Sequence, residues 1–208
     1  MADKITSWKY TEDLVREDEV LRQARNRAEE LGVECITPSV GAHLSMLVNS
    51  LQAKSIVEVG SGTGVSAVYL LRGSANAVLA TIDNEQEHSN ATKSTLTDAG
   101  IAANRLRLIT GKATEVLANL ADAAYDLVLL DADRETLDVQ IRESSRLLRP
   151  GGVIAVAHAL WRDRVPDPAM RDEATQIYRD LIRTLQDNDD FVTSVLPIGD
   201  GLLLASKR

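Results

Sequence analysis

The sequence predicts an α/β protein: a doubly wound, mostly parallel sheet of seven strands, entered through helices and closed by an antiparallel hairpin. Three observations carry this. Residues 55–66, Ser-Ile-Val-Glu-Val-Gly-Ser-Gly-Thr-Gly-Val-Ser, pass from a β-branched strand through a glycine turn into a helix start. Short apolar runs then alternate with helical stretches, which gives parallel strands joined by right-handed crossovers. The chain ends on two strand-like runs joined by Gly199-Asp-Gly201, a hairpin signal.

The elements follow in order. Residues 1–9 are expected to be loosely held. Leu14, Leu21, Ala24, Ala28 and Leu31 predict one helix over 11–31, stopped by Gly32. Thr37 as N-cap and Pro38 in the first turn open a second helix, with Val40, Leu44, Leu47, Val48 and Leu51 on its apolar face. Strand one is 56–59. Strands two, three and four are 78–82, 106–109 and 126–130, and Asp83 and Asp131 close the second and fourth. Helices are expected over 85–99, 112–120 and 135–148. Strand five is 153–157, a long helix covers 168–186, and 191–196 and 202–205 form the hairpin.

Length and composition narrow the function. A chain of 208 residues, 44% hydrophobic, suits one domain over 1–208, with a helical lead-in over 1–52. The net charge of −8 and the lack of a basic stripe argue against nucleic acid and for a small-molecule acceptor. One cysteine, Cys35, excludes an intrachain disulfide. No targeting peptide or long apolar span is visible, so no membrane partner is expected and the cytoplasm is the simplest compartment.

The ligand site is expected beyond the strand C-termini, at the point where strand order reverses. There Glu58, the Gly60–Gly64 turn, Asp83, Asp131 and the 157–161 loop converge. The glycine spacing is not that of a dinucleotide site, because the sixth position from Gly60 is Val65. Asp83 can accept hydrogen bonds from ribose hydroxyls, or merely cap the next helix. Ser66 can donate to a cofactor carboxylate, or satisfy a helix start.

Five segments in family order make a resemblance specific. They are Thr37-Pro-Ser-Val-Gly-Ala-His-Leu-Ser, Glu58-Val-Gly-Ser-Gly-Thr-Gly-Val-Ser, Asp126-Leu-Val-Leu-Leu-Asp-Ala-Asp-Arg134, Leu147-Leu-Arg-Pro-Gly-Gly-Val-Ile154 and Leu196-Pro-Ile-Gly-Asp-Gly-Leu202. Over residues 10–208 the chain resembles the class I S-adenosylmethionine-dependent methyltransferases of the catechol/caffeoyl-CoA O-methyltransferase type. The resemblance implies strand order 3-2-1-4-5-7-6, a homodimer and S-adenosylmethionine as cofactor. It places Val40, Glu58, Gly60, Ser61, Gly62, Ser66, Asp83, Asn84, Ala113 and Asp131 at the cofactor. The acceptor would be a small hydroxylated molecule. The alternatives are a catalytically weak S-adenosylmethionine-binding protein and a nicotinamide-dependent oxidoreductase.

Two departures from the family pattern affect the chemistry. The family's lysine base after strand four is Arg134 here, and arginine stays protonated. Arg134 can instead stabilise an acceptor oxyanion or bind an acceptor carboxylate. The family holds a divalent metal with three oxygen ligands, but two of those positions are Ala157 and His158. A hard cation such as Mg²⁺ prefers an all-oxygen shell, so no metal site is assigned. His158 is then a general base titrating near the ordinary imidazole pKa, a transition-metal ligand with Asp131, or a plain loop histidine. Trp161 is expected to wall the acceptor pocket or to sit in the core, and 162–170 to cover the pocket. His43 and His88 are read as structural or solvated.

Overall fold

The computed structural model describes residues 4–131 and 134–208. The first half runs α1 (Lys4–Leu14), α2 (Glu19–Leu31), α3 (Pro38–Ser50), β1 (Ser55–Val59), α4 (Val65–Arg72), β2 (Val78–Asp83) and α5 (Gln86–Asp98). The second half runs β3 (Leu106–Thr110), α6 (Ala113–Ala118), β4 (Tyr125–Leu130), α7 (Leu137–Leu147), β5 (Leu148–Val156), α8 (Glu173–Gln186), β6 (Phe191–Leu196) and β7 (Leu202–Lys207). The order across the sheet is β3-β2-β1-β4-β5-β7-β6, as the resemblance implies. Strands β1 to β5 pair in parallel, and β7 runs antiparallel to both β5 and β6.

Alternation along the strands feeds two cores. Ile56, Leu79, Leu127 and Leu129 face one side, where they pack with Leu21, Leu44, Val48, Val68 and Leu70 of α2, α3 and α4. Val57, Ile82, Val128 and Leu130 face the other, with Leu117, Leu147, Tyr178, Leu181 and Leu185 of α6, α7 and α8. Burial on both faces explains why 127–130 of β4 reads as an unbroken apolar run. Among the described residues, no helix is long and apolar enough to cross a membrane.

Several expected element boundaries need correction. Residues 4–9 belong to α1, and the single helix expected over 11–31 is two. Asp18 breaks it: its side chain accepts from Leu21 N at 3.1 Å and caps α2. Glu17, freed from the helix, receives Arg25 Nε at 2.7 Å and the Tyr69 hydroxyl at 2.8 Å, pinning the break to α4. Thr37 occupies the N-cap position of α3 but does not cap it with its side chain. Its hydroxyl donates at 2.9 Å to Glu12 of α1, which also accepts from Ser39 N at 3.0 Å. The last long helix begins at Glu173 rather than 168. Asp172 accepts from Thr175 N at 3.1 Å and fixes that start. Strand β5 begins at Leu148, earlier than the expected 153, and its pairing with β4 shifts register between Tyr125 and Leu127.

The site is set by the C-terminal ends of four adjacent strands. Gly60 N donates to Ile82 O at 2.8 Å, Asp131 N to Val59 O at 2.9 Å and Ala157 N to Leu130 O at 3.0 Å. These bonds carry the ladder one residue past each strand. They bring the glycine turn, Asp83, Asp131 and the loop after β5 to one edge, where the connections diverge to opposite faces.

Candidate active site

The turn after β1 makes the first cavity, of about 610 Å³. Gly60, Gly62 and Gly64 all have positive φ, and a Cβ on Gly64 would stand 3.1 Å from the Thr92 backbone. Only glycine lets the turn close there. Asp83 organises this turn. Its Oδ2 accepts from Ser61 N at 2.9 Å, Ser61 Oγ at 3.1 Å and Gly62 N at 3.1 Å. Its Oδ1 accepts from Glu85 N at 3.0 Å and lies 3.1 Å from His88 Nδ1. So Asp83 is neither a bare helix cap nor a free carboxylate: it ties the glycine turn to the end of β2.

Glu58 lies behind the turn and is fully buried. Oε2 accepts from the Thr81 hydroxyl at 2.6 Å, while Oε1 has no hydrogen-bond partner among the described residues. Burial pushes its carboxyl up, and the Ser66 and Thr81 hydroxyls only partly oppose that, leaving it at about 7.

A second cavity, of about 430 Å³, adjoins the first. Val33, Glu34, His88 and Asp131 line both. The remaining wall of the second includes Arg134, His158, Trp161, Arg162 and Tyr178. His158 sits between two carboxylates. Nε2 lies 3.3 Å from Asp131 Oδ1, and Nδ1 lies 3.5 Å from Asp200 Oδ2. Burial alone would push this imidazole down; Asp131 first, then Glu34 and Asp200, overcome it and raise it to about 9. The ordinary imidazole pKa expected from sequence is therefore corrected upward: at neutral pH the ring is protonated.

The aromatic wall is built from Trp161 stacked on Tyr178, with ring centroids 5.4 Å apart. The Arg134 guanidinium lies 4.8 Å from the Trp161 centroid and that of Arg162 5.4 Å, both within cation–π range. Arg162 also pairs with Glu34 at 2.9 Å. The 162–170 segment is held from α8 by Arg179. Its guanidinium donates to Val165 O at 2.9 Å, Met170 O at 2.6 Å, Arg164 O at 3.1 Å and also to Asp167 O.

Among the described residues, the donor set does not fit a hard divalent cation. Asp131 offers oxygen, Ala157 offers a methyl group, and the His158 ring is in ion-pair contact with Asp131. Asp131 and Asp200 face different nitrogens of the same ring, so one ion cannot draw on all three side chains.

Of the residues singled out from the sequence, Gly60, Ser61, Gly62, Ser66, Asp83, Asn84, Ala113 and Asp131 line the first cavity. Arg134, His158 and Trp161 line the second. Val40 and Glu58 line neither; Val40 is buried on α3. Ala132 and Asp133 of the motif after β4 lie outside the described residues. Sequence reasoning missed Asp200, Glu34 and Tyr178. Asp200 stands between two glycines and reads as turn chemistry. Only the hairpin's antiparallel return to β5 would have brought it to His158.

The comparisons with known proteins bear on the reaction. The model of the O-methyltransferase family matches residues 11–208. The chain belongs to the O-methyltransferase family. A protein of Mycobacterium ulcerans (strain Agy99), assigned by name to the O-methyltransferases, is 45% identical over 197 residues, covering 94% of this chain and 88% of the relative. A solved Corynebacterium glutamicum protein superposes with a TM-score of 0.88 at 27% identity, covering 96% of this chain and 94% of that one. The O-methyltransferase TomG of Streptomyces achromogenes, involved in tomaymycin synthesis and solved with S-adenosylmethionine, superposes at 0.85 with 25% identity, covering 99% of each chain. As an O-methyltransferase, this chain is an enzyme that transfers a methyl group to oxygen, and the oxidoreductase alternative falls away.

Proposed function

We propose that this O-methyltransferase uses S-adenosylmethionine to methylate a hydroxyl of a small molecule, without a divalent metal, and that His158 takes the proton. The observation that carries the reading is the junction of the two cavities: Asp131 lines both, and His158 meets it from the second. The first cavity is of a size that encloses a nucleoside-like cofactor. When bound, S-adenosylmethionine supplies an activated methyl group, whose bond to sulfur breaks as the acceptor oxygen bonds to carbon.

The protein's part is alignment and proton removal. Gly60, Ser61, Gly62, Ser66, Asp83, Asn84 and Ala113 hold the cofactor, with Val40 and Glu58 supporting that wall from behind. Asp131 borders the reacting groups. Neutral His158 accepts the acceptor's hydroxyl proton on Nε2, and the proton leaves to solvent after transfer. Arg134, fixed over Trp161, offers positive charge to the developing oxyanion. The 162–170 segment, clamped by Arg179, limits water on the acceptor side.

Further parts of the proposal are one domain over 1–208, a cytoplasmic setting and a homodimer. Exposed Ile5, Trp8, Tyr10 and Leu14 on α1 and Met46 on α3 support a dimer. A monomer by sedimentation at micromolar concentration would remove it.

Calorimetry tests the cofactor assignment. S-adenosylmethionine should bind and NAD should not. Asp83→Ala, which loses both a ligand group and the tie to Ser61 and Gly62, should weaken binding about ten- to a hundredfold while leaving the protein folded. Binding of NAD alone, or an unchanged dissociation constant in the variant, would contradict the assignment.

A further inference from the structure

The turn between β6 and β7 is built against the loop that carries His158. Ala159 N donates to Gly201 O at 3.0 Å, and Leu160 N donates to Asp200 O at 2.9 Å. Arg162 N donates to Asp200 Oδ1 at 2.5 Å. Gly201 has φ +85°, and a Cβ there would stand 2.4 Å from Leu160 Cγ, so turn and loop are in full contact. The loop needs such bracing. His158, Trp161, Arg162 and Asp163 all have left-handed φ, between 48° and 59°. Side chains other than glycine adopt that region at a cost of about 1 kcal/mol or more each. With Oδ1 taken by the Arg162 amide, Asp200 has one oxygen left, Oδ2. It is buried, has no hydrogen-bond partner among the described residues and lies 3.5 Å from His158 Nδ1.

We propose that Asp200 is the positioning residue of His158: it takes the Nδ1 side of the ring, and so presents Nε2 to the acceptor cavity. The arrangement follows the logic of an acid–base histidine oriented by a carboxylate. One carboxylate oxygen fixes the loop backbone and the other fixes the ring, so the imidazole is aimed by the same side chain that holds its loop. When Nε2 takes the acceptor's proton, the resulting imidazolium keeps Asp200 at its far nitrogen. Asp131 faces the near one until the acceptor displaces it. Nothing in this requires Asp200 to touch cofactor or acceptor.

The ring's surroundings define what a test must separate. Asp131 reaches it from the end of β4, Asp200 from the β6–β7 turn, and Glu34 from the connection between α2 and α3. Arg134 precedes α7, Arg162 lies on the same loop, Tyr178 is on α8 and His88 is on α5, and all four line the same cavity. Asp200→Asn is the informative variant, because the amide keeps an oxygen for the Arg162 amide while removing the charge facing Nδ1.

This inference rests on the reading of His158 as the base, and the experiment separates the two. The full chain has three histidines, so ring resonances in an NMR titration can be assigned with His158→Gln. In Asp200→Asn the His158 midpoint should fall by about one pH unit, tenfold in proton affinity, with His43 and His88 unmoved. Asp200→Ala should show the same shift if it folds. A His158 midpoint equal to wild type in Asp200→Asn would overturn the proposal. The titration needs no acceptor. With catechol as the probe acceptor, the alkaline pH–rate limb expected of wild type should move to lower pH in Asp200→Asn in step with the midpoint. A His158→Ala enzyme of full activity would defeat the base assignment, whatever the titration of Asp200→Asn returned.

Discussion

In the proposed mechanism His158 is the base, and its environment sets the conditions under which it can act. Raised to about 9, it is neutral in roughly one molecule in a hundred at pH 7, so a base role makes the rate climb with pH up to about that value. The rate limb should therefore lie near pH 9 rather than near 6.5, and His158→Ala should lower kcat about 10²- to 10⁴-fold. The same shift links to stability. A histidine whose folded pKa exceeds its ordinary value of 6.5 stabilises fully below about pH 6.5 and loses that contribution as pH rises through about 9. Thermal unfolding of His158→Gln across pH 6 to 10 should show a smaller decline than wild type. Glu58 runs the other way from the usual carboxylate. Its pKa is raised from 4.5 to about 7, so folding loses stability as pH rises from about 4.5 through 7. Glu58→Gln should gain stability over wild type above pH 7, match it near pH 4, and bind S-adenosylmethionine more weakly. Equal denaturation midpoints at pH 8 would argue against a strained acid behind the glycine turn.

At the scale of elements, the segment from β5 to α8 turns a strand end into one wall of the second cavity. The 158–163 stretch turns through left-handed conformations at His158, Trp161, Arg162 and Asp163 and leans on the 199–201 turn, while 164–170 hangs on Arg179. That single guanidinium serves four backbone carbonyls, so Arg179→Ala should release the cover without disturbing the sheet. The expected outcome is faster proteolytic nicking in 162–170, a raised KM for the acceptor, an unchanged affinity for S-adenosylmethionine and about 2 kcal/mol of lost stability. A protease-resistant variant with normal KM would show that the cover is held by something else. The sequence made this segment's existence and place legible but not its clamp. Arg179 reads as one more solvated charge on an amphipathic helix, because its partners are carbonyls of a loop with no periodicity. In the same way Thr37 reads as a cap, and only the docking of α1 shows its hydroxyl committed to Glu12.

For the whole molecule, the parts set by local pattern were legible. Short apolar runs, glycine stops and acids after strands located all seven strands, and the ordered motifs implied their arrangement across the sheet. What stayed illegible depends on contacts between distant segments. Asp200 lies far from Asp131 along the chain, yet both face one imidazole because the hairpin returns antiparallel beside β5. The upward shift of His158 was hidden for the same reason, since motif position gave one carboxylate neighbour and the fold supplies three, with Glu34 the third. The account's central claim is that His158, and not a divalent metal, activates the acceptor. The most direct measurement is methyl transfer from S-adenosylmethionine in excess chelator, with and without added Mg²⁺, for wild type and His158→Ala. The account expects wild-type turnover to be unchanged by chelator or Mg²⁺ and the variant to lose about 10²-fold or more; turnover abolished by chelator and restored by Mg²⁺, or an alanine variant as active as wild type, would contradict it.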